Sequence, residues 1–164
     1  MSDNHAEATQ KMWAMMKAIN FAMLTTEDGG HLRARPMVAA QSEFTGTLWF
    51  FTKASSHKVD EVQQEQRVGV TYADGGTQDY VSLSGSARLV RDKASIEEHW
   101  SEPMRTWFPK GKEDSEIALL KVDIEMAEYW DAPNHTMVHA YGYVKAVLTG
   151  VSPKPGGNEK VSFP

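Results

Sequence analysis

The chain has 164 residues, 41% of them hydrophobic and 24% charged, which suits one soluble globular domain with a real core. Its formal net charge of −5 excludes the broad positive footprint of a nucleic-acid or anionic-membrane binder, so neither partner is expected. With no cysteine, disulfides, thiolate nucleophiles and Cys-ligated zinc are excluded as well.

The N-terminus, MSDNHAEATQK, lacks the basic start and apolar centre of a signal peptide. No apolar run approaches the roughly 20 residues that span a bilayer. A cytoplasmic location is the resulting expectation. Asp3 or Asn4 is placed to cap a first helix over Ala6–Ile19, in which Met12, Met15, Met16 and Ile19 recur at helical spacing. Such a stripe is packing material. Phe21–Thr26 reads as a strand, Asp28-Gly29-Gly30 as a hairpin turn, and His31–Phe44 as a second strand. Pro36 inside that strand cannot donate to a ladder, which predicts an edge or a bulge. Thr47–Thr52 is a third strand, buried on both faces, and Ser56–Gln66 a short helix with Val59 and Val62 inward.

Arg67–Ala73 and Tyr80–Val90 are two more strands, joined through the turn at Asp74-Gly75-Gly76. Gly85 within the second predicts a bend or the close approach of another group. A helix over Lys93–Trp100, a short aromatic turn at Pro103–Phe108 and a polar loop follow, then a long strand over Ile117–Asp131. Met137–Leu148 has helical spacing. Residues 151–164 contain Pro153, Pro155, Gly156 and Gly157 and read as a flexible tail. Residues 1–150 thus form one domain. Six strands linked by hairpins, without parallel βαβ alternation, predict a mainly β, α+β protein: an antiparallel split or closed barrel of Greek-key type with flanking helices. No dinucleotide-binding or P-loop glycine motif occurs.

The chemistry concentrates in Arg33–Lys58. Arg33 and Arg35 are two apart in a strand and share a face. The turn near Thr45-Gly46 returns the next strand, so both arginines fall near Thr52, Lys53, Ser55, Ser56, His57 and Lys58. Arginine pairs bidentately with phosphate, lysine adds a point charge, and a helix start capped by Ser55 or Ser56 attracts an anion. Two readings stand: a solvated hairpin with ordinary surface charges, or a phosphate-sized anion site.

Other chemistries have less support. His135 and His139 are four apart but lack a third metal ligand, so no metal site is expected. Ser82, Ser84 and Ser86 alternate along a strand without a nucleophile elbow. No carboxylate pair sits in apolar surroundings. The aromatics Trp49, Phe50, Phe51, Trp107, Phe108, Tyr129 and Trp130 are mostly core material. They also supply walls for a planar ring whose phosphate the cations would hold.

Five segments carry a resemblance: RARPM (Arg33–Met37), LWFFTKASSHKV (Leu48–Val59), YVSLSGSARLV (Tyr80–Val90), WFPKGKED (Trp107–Asp114) and EYWDAP (Glu128–Pro133). In their order and spacing, the chain resembles the general stress protein 26 group of the pyridoxamine 5'-phosphate oxidase-like flavoproteins, which have the FMN-binding split-barrel fold. The resemblance implies a homodimer with FMN, or alternatively FAD, at the subunit interface. It matches Arg35 to the flavin phosphate end and Pro36, Met37 and Val38 to the strand along the ring system. Phe51 and Thr52 match the residues after the paired strand, and Lys58 the lysine on the phosphate. His57 stands where the oxidases carry an arginine, a place that Ser56 and a protonated His57 would partly fill. Arg33 matches the phosphate or its rim, and Trp130 a late aromatic near the flavin. The end, SPKPGGNEKVSFP, lacks the oxidases' C-terminal arginine pattern, so pyridoxamine phosphate oxidation is not expected. The implied function is a flavin-dependent oxidoreductase of unknown substrate and electron partner. The alternative is a non-enzymatic flavin sensor or store in stress response.

Overall fold

A computed structural model describes residues 3–132, 147, 149–150 and 157–163. Helix α1 (Asp3–Ile19) precedes strands β1 (Phe21–Asp28), β2 (His31–Val38) and β3 (Thr47–Lys53). Helix α2 (His57–Gln64) leads to β4 (Arg67–Asp74) and β5 (Asp79–Val90), then to α3 (Lys93–His99). Two 3-10 turns, Glu102–Thr106 and Gly111–Glu113, precede β6 (Ile117–Asp131), and β7 (Gly157–Ser162) ends the chain.

The strands make one antiparallel sheet in the order β2-β1-β4-β5-β6-β3, with β7 added along β6. β3 therefore lies beside β6, not beside its sequence neighbour β2. The sheet closes where β2 and β3 meet, through the Ala39–Phe50 bridge and the bond from the Ala40 N–H to the Trp49 carbonyl, 2.8 Å. Gln41 prolongs this seam with its side chain, donating to the Thr47 carbonyl at 2.6 Å and accepting the Trp49 N–H at 3.1 Å. The rest of β2 has no ladder to β3 among the described residues, which leaves the barrel split. Pro36 lies on this outermost strand, where a missing N–H donor is tolerated.

Alternation along each strand fills the interior. Ala22, Leu24, Leu48, Phe50, Val70, Leu120 and Val122 are fully buried, and α1 closes one end of the barrel with Met12 and Met16. The methionine stripe is core packing. A second, smaller core lies outside the sheet, where Trp49, Phe51 and Trp100 pack on Ile96, Phe108, Ile117 and Leu119. Gly85 marks a β-bulge against β6, and a Cβ there would lie 2.0 Å from the Asp123 carbonyl oxygen, so no side chain fits.

Two expectations are corrected. The strand expected over His31–Phe44 ends as a ladder at Val38, because the chain must leave the sheet edge to cross to β3. Part of the tail expected to be flexible is a strand: Gly157–Ser162 pairs with Met126–Asp131, burying Val161 against the core while Phe163 packs edge-on to Phe44 at 5.5 Å. The unpaired half of β6 accepts this strand, making seven where six were expected. The helix expected over Met137–Leu148 and the pair His135 and His139 lie outside the described residues, apart from Val147.

Candidate functional site

The inward face of β1–β2 changes character along its length. Ala22 opposite Met37 and Leu24 opposite Arg35 belong to the barrel interior, while Thr26 opposite Arg33 reaches its mouth. The strand period thus delivers Arg33 and Arg35 to the same side. Helix α2 starts four residues after β3 and packs on β1 and β5, with Val59 and Val62 buried. The same helix carries Glu61, one turn beyond His57 and Lys58, into the mouth at 2% exposure.

Glu61 is the hub. Its carboxylate accepts from the Thr26 hydroxyl, from Arg35 Nη2 at 2.6 Å and from Arg33 Nη1 at 3.0 Å. Arg35 also donates from Nη1 to Thr26 Oγ1 at 2.6 Å. Burial alone would push the Glu61 carboxyl up, but the hydrogen bonds from Thr26 and Arg35 and the arginine charges outweigh it and hold it below the ordinary value. The buried charge is therefore paired and hydrogen-bonded, as such a charge must be.

Beyond Glu61 lies a rim. Arg33 Nη1 also donates to Asp28 Oδ2 at 3.0 Å, and His57 Nε2 lies 3.2 Å from the same oxygen. Bonds from His57 and then Arg33 hold Asp28 below its ordinary range, so it stays ionised. Asp28, His57 and Glu61 bring potential metal-ligand atoms within 4.8 Å of one another. The Arg33 guanidinium already donates to both carboxylates and supplies the cation there.

On the other side stands Lys58. Its Nζ donates to Thr52 Oγ1 at 3.1 Å and Ser56 Oγ at 3.3 Å, and these hydroxyls are 3.0 Å apart. Ser56 occupies the N-cap position of α2, but its hydroxyl makes no cap bond and turns to Lys58 instead. Burial, followed by the Arg35 charge, lowers the Lys58 pKa, only partly offset by Glu61. Lys58 is thus a half-desolvated ammonium beside a second cation, with hydroxyl partners and no carboxylate in an ion pair among the described residues. That donor set suits a phosphate, which would supply the missing negative charge.

Of the residues expected at a flavin, the chain brings together Arg33, Arg35, Thr52, Ser56, His57 and Lys58. Pro36 and Val38 lie on the outer face of β2, with Met37 turned towards the core. The Phe51 ring joins the second core, 6.0 Å from Trp100 and 6.3 Å from Phe108. Trp130 is at the far end of β6, opposite Tyr80. Since Ile117 pairs with Lys53, roughly 40 Å of strand separates Trp130 from the lysine corner. One chain therefore does not bring Trp130 to this group. The sequence reading missed Glu61, Thr26 and Asp28. Glu61 carried a usable signal, lying three and four residues from Lys58 and His57 beside the inward Val62.

Comparisons with known proteins give the family and the fold. The family profile "Pyridoxamine 5'-phosphate oxidase like" matches residues 7–154. A Jannaschia sp. CCS1 structure assigned to general stress protein 26 is 26% identical, with a TM-score of 0.75, covering 96% of this chain and 99% of that one. The general stress FMN/FAD binding protein of Xanthomonas citri is 30% identical, with a TM-score of 0.70 over 80% of this chain and 93% of that one. Protein bli-3 of Neurospora crassa is 26% identical over 148 residues, 84% of this chain and 71% of that protein. This chain belongs to the pyridoxamine 5'-phosphate oxidase-like family and, within it, to the general stress protein 26 group, with the split-barrel fold.

Proposed function

We propose that this chain is an FMN-binding flavoprotein whose flavin phosphate sits on Lys58, Ser56, Thr52 and the free side of Arg35. The observation that carries the reading is the half-buried Lys58 ammonium, which has hydroxyl partners and lies beside a second cation. Arginine has five N–H donors. Arg35 spends two of its groups on Thr26 and Glu61, which fixes the guanidinium and leaves donors for a ligand. FMN, when bound, supplies hydride or electron transfer, and the chain supplies position and charge. The reaction we propose is flavin-dependent redox chemistry on a small molecule, a reading supported by family membership.

We further propose a homodimer with the cofactor between the subunits. Phe21, Met23, Leu32 and Val38 lie on the outer face of β1–β2, exposed by 64%, 41%, 79% and 40%. An apolar sheet face of this kind calls for a partner. A second copy would also be the source of a Trp130 near the ring.

Titration of the purified chain with FMN and with riboflavin tests the phosphate assignment. FMN should bind more tightly, and Lys58→Ala should abolish the difference. A chain that binds neither flavin refutes the reading. Adding NADH or NADPH to the flavin-loaded protein then separates an oxidoreductase, whose flavin is reduced and turned over by an acceptor, from an inert flavin store.

A further inference from the structure

We propose that Asp28 sets the number of phosphates the ligand carries: by occupying Arg33 and His57, it closes the position beside Lys58 to a second phosphate, so that the chain takes the mononucleotide FMN and discriminates against the dinucleotide FAD. The proposal rests on the reading of Lys58 as the flavin phosphate site.

The single carboxylate of Glu61 has a cation on each oxygen, Arg35 on Oε2 and Arg33 on Oε1. It thereby divides the cations into two neighbouring groups. In the inner group Lys58 faces hydroxyls and keeps its charge for a terminal phosphomonoester of about −1.5 to −2, while Arg35, whose charge Glu61 matches, adds N–H donors. The outer group looks equally basic in sequence but is already neutralised. Arg33 Nη1 is 3.0 Å from both Asp28 Oδ2 and Glu61 Oε1, and His57 Nε2 is 3.2 and 3.5 Å from the same two oxygens. Arg33 and Asp28 cancel, and Glu61 adds a second carboxylate to the same guanidinium.

In a dinucleotide each phosphate carries one charge. A second phosphate directed from Lys58 towards the rim would gain no net attraction there and would meet the Asp28 carboxylate. Like charges brought together without compensation discriminate against the wrong ligand. Asp28 is well placed for this role. It ends β1 opposite His31, at the turn through Gly29 and Gly30, whose φ values of 57° and 86° suit glycine. The tight hairpin fixes the carboxylate, and its side chain stays 37% exposed.

The experiment titrates full-length wild type, Asp28→Asn and the double variant Asp28→Asn/Arg33→Ala with FMN and with FAD, following flavin fluorescence. Wild type should prefer FMN by about tenfold or more, as expected for an unpaired charge clash. Asp28→Asn frees Arg33 and His57 and should narrow that preference about fivefold, by tightening FAD. The gain should vanish in the double variant and shrink in high salt. An unchanged ratio in Asp28→Asn, a gain that survives loss of Arg33, or a wild type indifferent to the two flavins overturns the proposal. Were FMN to bind in a Lys58-dependent manner while the Asp28→Asn ratio stayed fixed, the Asp28 role would fall and the FMN site would stand. Failure of wild type to bind either flavin overturns both.

Discussion

Arg35 and Lys58 are neighbouring cations in one mouth, held in opposite ways. Arg35 is committed to Glu61 and Thr26, both nearly fully buried, through bonds of 2.6 Å. Lys58 touches the hydroxyls of Thr52 and Ser56, and its ammonium carries a burial penalty. A cation matched by a buried carboxylate is part of the fold, because removing either partner strands a charge in low dielectric. A desolvated cation matched by hydroxyls is a place for a ligand. On the proposed reading Lys58 is the charge left for a ligand and Arg35 a fixed set of donors, a distinction that composition, which shows only a basic cluster, does not reveal.

Four substitutions would break or sharpen that comparison. The largest effect is expected from Glu61→Ala, which leaves Arg35 and Arg33 facing each other without their carboxylate. Loss of about 3–5 kcal/mol in urea denaturation is expected, and a loss below about 1 kcal/mol would make the hub ornamental. Next comes Lys58→Ala, which should weaken FMN binding by about 1.5–3 kcal/mol, the value of a hydrogen bond to a charged group, while riboflavin binding and stability hold. Equal losses for the two flavins would remove Lys58 from the phosphate.

Leu32→Asp on the outer face should shift a dimer towards monomer in light scattering while the thermal midpoint of the barrel changes little. A wild type that is monomeric at all concentrations would end the dimer proposal. The smallest effect concerns pH. The folded pKa of Glu61 lies below its ordinary value of 4.5, so its contribution is fully present above that pH and is lost as pH falls through the folded value. Stability should therefore decline from about pH 5 downward. Glu61→Gln should flatten the Glu61 share of that slope in thermal melts across the same range. An unaltered slope would mean that other carboxylates, such as Asp28, carry the acid response.

Much of the frame was legible because strand alternation and turn glycines are local signals. Leu48 and Phe50 alternate with Trp49 and Phe51, and Asp28-Gly29-Gly30 fixed the first hairpin. Gly85 announced a close approach that the bulge realises. The tail strand was not legible, since its pairing depends on the free half of β6, more than 20 residues away in the chain. Likewise, Ser56 looked like a helix cap, but its hydroxyl answers to Lys58, whose pull exceeds that of a backbone N–H.

Sequence by itself determined the mainly antiparallel barrel, the family and the shared face of Arg33 and Arg35, because residue period and turn signals are local, whereas the packing of α2 on β1 brought His57 and Lys58 to that face. Only the tertiary structure decided which of those cations are spent. That outcome turns on Glu61, Thr26 and Asp28, which arrive from a helix and a neighbouring strand, and on the burial that makes each pairing strong. Charge is written along the chain, whereas its neutralisation depends on what the fold brings within 3 Å.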